Sequence, residues 1–199
     1  MRIMSRLITW SLLVTCVSIA GCSSRPVEQE TAKKNQAPGE NVSSSPSVQV
    51  KFTQEGDHPE ELIIQLINGT ASTLDIAIYS INYEPIVEAV INAAERGVNV
   101  RMITDLSHAE EKAKQKKALE LLQDAGVPIK VNSHDGKMHL KMIIADGNKV
   151  ETGSFNYLKS SVEENDDVAV FIEDDEVGRK FQSAFNNLWD NTERFKEYK

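Results

Sequence analysis

His139 and Lys141 stand two residues apart in the apolar run 138–146, and side chains at i and i+2 of a strand share one face. An imidazole and an ammonium therefore point the same way, with Met138, Leu140 and Met142 expected on the opposite face, against the protein. Asp146-Gly147 is a turn signal and 149–152 reads as a return strand, so a hairpin brings Ser154 and Asn156 back beside the pair. Together these side chains offer a nucleophile or base, a cation, a hydroxyl and an amide. That set suits an anionic, oxygen-rich group such as a phosphodiester. By residue type alone His139 could be a nucleophile, a general base or a metal ligand. The other histidines are His58, His108 and His134, none at His-x-x-x-His spacing, and Lys141 would repel a divalent cation. The expected site uses no metal and no cofactor, and Lys141 and Asn156 neutralise and orient the nonbridging oxygens.

The rest of the chain has to hold that hairpin in place. Residues 48–52 alternate as an opening strand. Pro59 starts a helix with Leu62, Ile63, Leu66 and Ile67 on one face, stopped at Asn68-Gly69. Residues 74–79 form a short buried strand in which Asp75 takes a terminal hydrogen-bonding role. Residues 85–96 form a second helix, closed by Gly97, and 98–103 a further strand. Ser107-His108-Ala109-Glu110 has capping-box spacing, placing His108 on the surface at the start of a strongly charged helix. Residues 127–131 are a strand whose Pro128 marks a start or an edge, 157–167 are polar and acidic, and 168–172 return to strand. Val177, Phe181, Phe185, Leu188 and Trp189 recur at helical spacing. Strands alternating with helices predict an α/β fold, a sandwich with a mixed central sheet flanked by helices.

The first 47 residues stand apart from this pattern. Arg2 and Arg6 precede an apolar run at 7–19, too short for a membrane span and shaped like a secretory signal. The run ends Ile19-Ala20-Gly21-Cys22, which resembles the lipobox of bacterial lipoproteins, in which the cysteine is lipid-modified. Residues 23–47, rich in Ser, Pro, Gln, Glu and Lys, bury too little to offset their ordering entropy. The expected organisation is a signal peptide at 1–21, a tether at 22–47 and a catalytic domain at 48–199, anchored outside the cytoplasm to a bacterial membrane through Cys22. Cys16 and Cys22 are the only cysteines, so the remainder has no thiol for a disulfide or a zinc site.

His-x-Lys-x4-Asp, then six residues, then Gly-Ser-x-Asn, resembles the signature of the phospholipase D superfamily, with His139, Lys141, Asp146, Gly153, Ser154 and Asn156 in register. The likeness runs from about residue 48 to the C-terminus. It implies the phospholipase D-like sandwich and metal-independent hydrolysis, in which His139 attacks phosphorus to give a phosphohistidine. Lys141 and Asn156 then bind phosphate, Ser154 supports them by a hydroxyl hydrogen bond, and Asp146 completes the catalytic motif from a largely structural turn position. Relatives carry a downstream glutamate that orients the imidazole; Asp166 is the residue expected there. The family mechanism uses two such histidines and this chain has one motif. Its length and layout resemble the short bacterial endonucleases that pair two chains, which implies a homodimer.

Two phosphodiester substrates remain open, nucleic acid and membrane phospholipid. From residue 48 onward there are 17 basic and 27 acidic residues, a balance of −10. A strong non-specific nucleic-acid binder is normally basic, so a local patch of Lys130, Lys137, Lys141 and Lys159 is the most that charge allows. No amphipathic loop suited to entering a bilayer is evident, while the anchor favours lipid. A third reading is a non-catalytic, lipid-tethered binding protein.

Overall fold

The computed structural model describes residues 46–199. The expected signal peptide, Cys16, Cys22 and nearly all of the tether lie outside the described residues. An eight-stranded mixed sheet has the order β1-β7-β6-β5-β2-β3-β4-β8. Its strands are β1 (Ser47–Phe52), β2 (Thr73–Ile78), β3 (Asn99–Thr104), β4 (Ile129–Asn132), β5 (Lys141–Ala145), β6 (Lys149–Gly153), β7 (Val168–Glu173) and β8 (Phe195–Glu197). The helices are α1 (Pro59–Asn68), α2 (Glu84–Glu95), α3 (Leu106–Glu111), α4 (Ala113–Asp124), α5 (Lys159–Glu163) and α6 (Asp175–Trp189).

Strands β2, β3 and β4 run parallel, and the other pairings are antiparallel. Parallel neighbours need long crossovers, which α2 provides between β2 and β3 and the α3–α4 pair between β3 and β4. The sheet separates two cores. Ile76 and Ile78 of β2 and Ile143 of β5 pack with Ile63, Val90 and Leu119 of α1, α2 and α4. Ala77, Met142 and Ile144 pack with Phe185 of α6. Period-2 alternation in each strand therefore feeds both layers.

The structure amends several sequence expectations. The strand expected over 138–146 begins only at Lys141; residues 138–140 precede it as loop. Leu140, expected on the buried face, is 42% exposed, whereas Met138 and Met142 are buried. The helix after β3 starts at Leu106, capped by Asp105 accepting from the His108 N–H, and not by a Ser107 capping box. Ser107 donates to Asp105 instead. That helix also breaks at Lys112, where ψ turns extended, into α3 and α4. The short elements α5 and β8 carry too few residues to show a period and were not expected.

Candidate active site

The site forms where β5 enters the sheet beside the C-terminal end of β2. The Tyr79 N–H donates to the Leu140 carbonyl at 2.9 Å, extending the β2–β5 pairing one step beyond Ile78↔Lys141. Asp105, buried at the end of β3, accepts from the Met138 N–H at 3.0 Å. These two bonds fix the backbone on either side of His139. Burial would push the Asp105 carboxyl up, but hydrogen bonds from Ser107, Met138 and His108 hold it below the usual carboxylate range.

His139 and Lys141 share a face as their spacing requires. The Lys141 Nζ lies 3.2 Å from Nδ1 and 3.3 Å from Nε2 of the imidazole. Near-equal distances to both ring nitrogens place the ammonium against the ring, not along one lone pair, and its directed bond goes to the His139 carbonyl at 3.1 Å. Burial lowers the His139 pKa, and the positive charges of Lys141 and Lys137 lower it further against Asp105, so the ring is held neutral. Lys141 is only 6% exposed; burial lowers its pKa too, opposed by Asp167. Among the described residues no carboxylate reaches ion-pair distance of its ammonium. A buried cation without a contact anion is costly. A bound anion would relieve it.

The hairpin brings the second half of the motif alongside. Strand β6 pairs Thr152 with Met142, and the Thr152 hydroxyl donates to the Lys141 carbonyl at 2.9 Å. Gly153 then has φ 155°, and a Cβ there would strike the Val168 carbonyl. Only glycine lets the chain pass β7 so closely and present Ser154. The Ser154 hydroxyl donates to Asp167 at 2.6 Å and accepts from the Val168 N–H at 3.1 Å. Asn156 lies on the segment whose next residue, Tyr157, donates its N–H to the Ser80 carbonyl beside Tyr79. Its Oδ1 is buried with no hydrogen-bond partner among the described residues.

Two of the expected carboxylates stand away from the imidazole, Asp146 at the structural turn position expected of it and Asp166 on the surface. Asp146, counted in the catalytic motif, stands at the far end of β5, with φ 51°. Its carboxylate accepts from the Ala71, Ser72 and Thr73 N–H groups and from the Ser72 hydroxyl. Burial opposes ionisation there, but those donors bring its pKa down to about 2. It is a turn anchor. Asp166, the expected imidazole-orienting carboxylate, is exposed and makes no side-chain hydrogen bond among the described residues; a one-residue offset puts Asp167 on the inward side, held by Thr53, whose Oγ1 accepts the Asp167 N–H at 2.8 Å. The expected basic patch also divides. Lys130 bonds the Trp189 carbonyl and covers its ring, and Lys159 pairs with Glu163, leaving Lys137 and Lys141 at the site.

Residue spacing alone missed Tyr79 and His108. The Tyr79 ring, 8% exposed, contacts His139 with centroids 4.5 Å apart and His108 with centroids 4.2 Å apart, and its hydroxyl accepts from Lys137 at 3.1 Å. His108 is half-buried, not on the open surface. The available signal was topological: both follow the C-terminal ends of parallel strands, where α/β sites gather. A cleft of about 700 Å³ is lined by Asp105, His134 and Lys137, and His139 is not part of its lining.

Comparison with known proteins bears on the family and the fold. A family model described as "Cardiolipin synthase, PLD-like domain" matches residues 63–189. The phospholipase D of Rickettsia prowazekii is 33% identical over 65% of this chain and 60% of its own length. The human mitochondrial cardiolipin hydrolase is 26% identical over 77% of this chain and 60% of its own. The chain thus spans less than two thirds of either relative. The crystal structure of Nuc from Salmonella typhimurium, a phospholipase D family member, superposes with a TM-score of 0.71 at 28% identity, over 78% of this chain and 99% of that one. On the family match over residues 63–189 and the fold shared with Nuc, the chain belongs to the phospholipase D-like domain family.

Proposed function

We propose that this chain is a metal-independent phosphodiester hydrolase working through a phosphohistidine. The observation that carries the reading is the neutral His139 imidazole packed against the buried, carboxylate-free ammonium of Lys141. A nucleophilic nitrogen beside an uncompensated cation is a receptor for a phosphoryl group. A His139 nitrogen forms the P–N bond, the bond to the leaving oxygen breaks, and that oxygen takes a proton. Lys141 and the amide of Asn156 hold the nonbridging oxygens, and Ser154 and Asp167 keep that side of the site in place. Water then displaces His139. Its single motif histidine makes the working form a homodimer in which His139 of a second copy, taking up a proton when the anionic substrate lies between the two rings, gives that proton to the leaving oxygen. The short, single-motif layout, which resembles that of the bacterial endonucleases of the superfamily, favours an endonuclease-like activity.

Hydrolysis of bis(p-nitrophenyl) phosphate in the presence of chelator tests the reaction. His139→Ala should lose at least about 10⁴-fold in kcat, and retained turnover would refute the nucleophile. A fully active, monodisperse monomer would refute the dimer. A second reading, phospholipase D action on membrane phospholipid, is favoured by the acidic balance and by relatives named for phospholipid hydrolysis. Turnover of plasmid DNA against phosphatidylcholine vesicles separates the two.

Membrane attachment through Cys22 belongs to the same proposal. Among the described residues no helix is long and apolar enough to cross a membrane. Cys22→Ser should abolish incorporation of labelled fatty acid and release the chain from membranes.

A further inference from the structure

Asn156 sits between two aromatic residues, Phe155 and Tyr157, that are both fully buried, with ring centroids 6.5 Å apart. Its own Oδ1 is buried without a hydrogen-bond partner among the described residues. No neighbour steers the amide through its oxygen, so the backbone of 155–157 decides where it points. That backbone is tied to the end of β2. The Tyr157 N–H donates to the Ser80 carbonyl at 3.1 Å, and the Tyr157 carbonyl accepts the Asn82 and Tyr83 N–H groups at 2.8 and 2.9 Å. The Tyr157 hydroxyl adds a side-chain tie, donating to Glu151 Oε2 at 2.5 Å and closing 151–157 on itself.

Glu151 is a buried acid that the preceding mechanism does not use. Its Oε1 has no hydrogen-bond partner among the described residues, and its cross-strand neighbours, Ile143 on β5 and Phe171 on β7, carry no charge. The titratable group that acts on it is Tyr157, whose own pKa is pushed up by burial and by the Glu151 charge, so the phenol stays a neutral donor. A carboxylic acid tolerates this setting. A carboxylate does not, because one oxygen would be left buried, charged and unsolvated, and relief requires water to enter past Tyr157.

We propose that Glu151 and Tyr157 are positioning residues for Asn156: the neutral carboxyl holds the tyrosine, and with it the asparagine amide, against the bound phosphodiester, and ionisation of the carboxyl slackens that hold. The inference rests on the reading of Asn156 as a phosphate ligand and deepens it. Burial pushes the Glu151 pKa up to about 7, against the tyrosine hydrogen bond. The hold is therefore complete below pH 7 and weakens as pH rises through it. His139 and Lys141, both with lowered pKa values, titrate in the same protein. The Glu151 contribution is the difference between wild type and a variant that cannot ionise at that position.

Two measurements on the full chain in detergent, with bis(p-nitrophenyl) phosphate as a diester that stays a monoanion, test this. In turnover, Glu151→Gln should match wild type within about twofold at pH 6, while between pH 6 and 8 the wild-type kcat/KM should fall about tenfold more than that of the variant. In equilibrium dialysis against His139→Ala, which binds without turnover, affinity should show the same extra loss, and adding Glu151→Gln should remove it. Tyr157→Phe deletes the bond that lowers the carboxyl pKa, so it should lower the pH 6 rate about tenfold and move the decline to higher pH; it stands in should Glu151→Gln not fold. Superimposable pH profiles of wild type and Glu151→Gln, or a Tyr157→Phe protein that changes only its melting temperature, overturn the positioning role. A wild-type chain that shows no turnover, while His139→Ala binds the diester with the Glu151-dependent loss, overturns the hydrolase reading and leaves the role of Glu151 standing. A chain that does not bind the diester at all overturns both.

Discussion

The two ends of β5 carry charges managed in opposite ways. At its C-terminal end the Asp146 carboxylate accepts three backbone N–H groups and a hydroxyl, and its pKa falls to about 2. At its N-terminal end Lys141 is buried with its pKa lowered, against an imidazole and with no carboxylate at contact distance among the described residues. Asp146 ties the β5–β6 turn to the start of β2, and everything around it favours the charge already present. Lys141 feels the charge of Asp167 without an ion pair, and the contact anion it lacks is one that a ligand would supply. One strand thus holds a finished structural joint and an unfinished electrostatic one, within a motif that reads as a single unit in sequence.

The sharpest way to break this contrast is Lys141→Met, which keeps the apolar stem and removes the charge. Activity on bis(p-nitrophenyl) phosphate should fall about 10³-fold, while the melting temperature should hold or rise, because a buried uncompensated ammonium is removed. A melting temperature that drops with activity would mean that Lys141 is structural. Asp146→Ala should do the reverse. It removes the acceptor of four hydrogen bonds and puts alanine at φ 51°, at a cost of about 2–3 kcal/mol after allowing for solvent at this partly exposed turn. Turnover by the folded fraction should stay within about twofold. Because folding depresses this carboxyl from its ordinary 3.8 to about 2, the wild-type advantage should be full above pH 4 and vanish as pH falls through 2. Denaturant titrations of the two proteins at pH 7 and pH 2.5 check this.

Glu151 lies between these ends, opposite Ile143 in the hairpin, fully buried, with Tyr157 donating to one carboxyl oxygen at 2.5 Å and the other unpartnered among the described residues. Burial pushes its pKa up to about 7, against the tyrosine hydrogen bond. The folded state therefore holds this proton more tightly than the unfolded chain, and stability must fall as pH rises from about 4.5 through 7. Wild type should lose about 2 kcal/mol between pH 5 and 8 from this group. Glu151→Gln, which cannot ionise, should flatten that slope, and an unchanged slope would show that the carboxyl stays ionised.

The fold was largely legible because each long element has a clear period and a clear stop. Residues 59–68 and 175–189 show helical spacing with Pro59, Gly69 and Asp174 at their boundaries. The hairpin followed from Asp146-Gly147. What escaped was set by contacts distant in sequence. Asp105 displaces Ser107 as the α3 cap because it also accepts from Met138, 33 residues away. His108 looks like a surface residue until β2 places Tyr79 and Ser80 beneath it. Leu140 fails the alternation because it lies just outside the strand proper, which begins at Lys141. His139, Lys141, Ser154 and Asn156 were readable as a group because one hairpin carries all four. Asp166 and Asp167 were not distinguishable by spacing, since neighbouring residues of an extended segment face opposite ways and only the register decides.

That register supplies the smallest test, a pair of isosteric changes one residue apart. Asp167 takes the Ser154 hydroxyl and is the charge that raises the Lys141 pKa against burial. Asp167→Asn keeps an oxygen for Ser154 and removes the charge. The ammonium then deprotonates more easily, so the alkaline limb of kcat/KM should move to lower pH and the plateau should fall about tenfold. Asp166→Asn, on an exposed side chain without hydrogen bonds among the described residues, should leave both within about twofold. The opposite outcome, a shifted limb in Asp166→Asn and none in Asp167→Asn, would mean that the acidic segment turns over when substrate binds. The uncompensated end of β5 would then be completed by a different carboxylate from the one that faces it in the free protein.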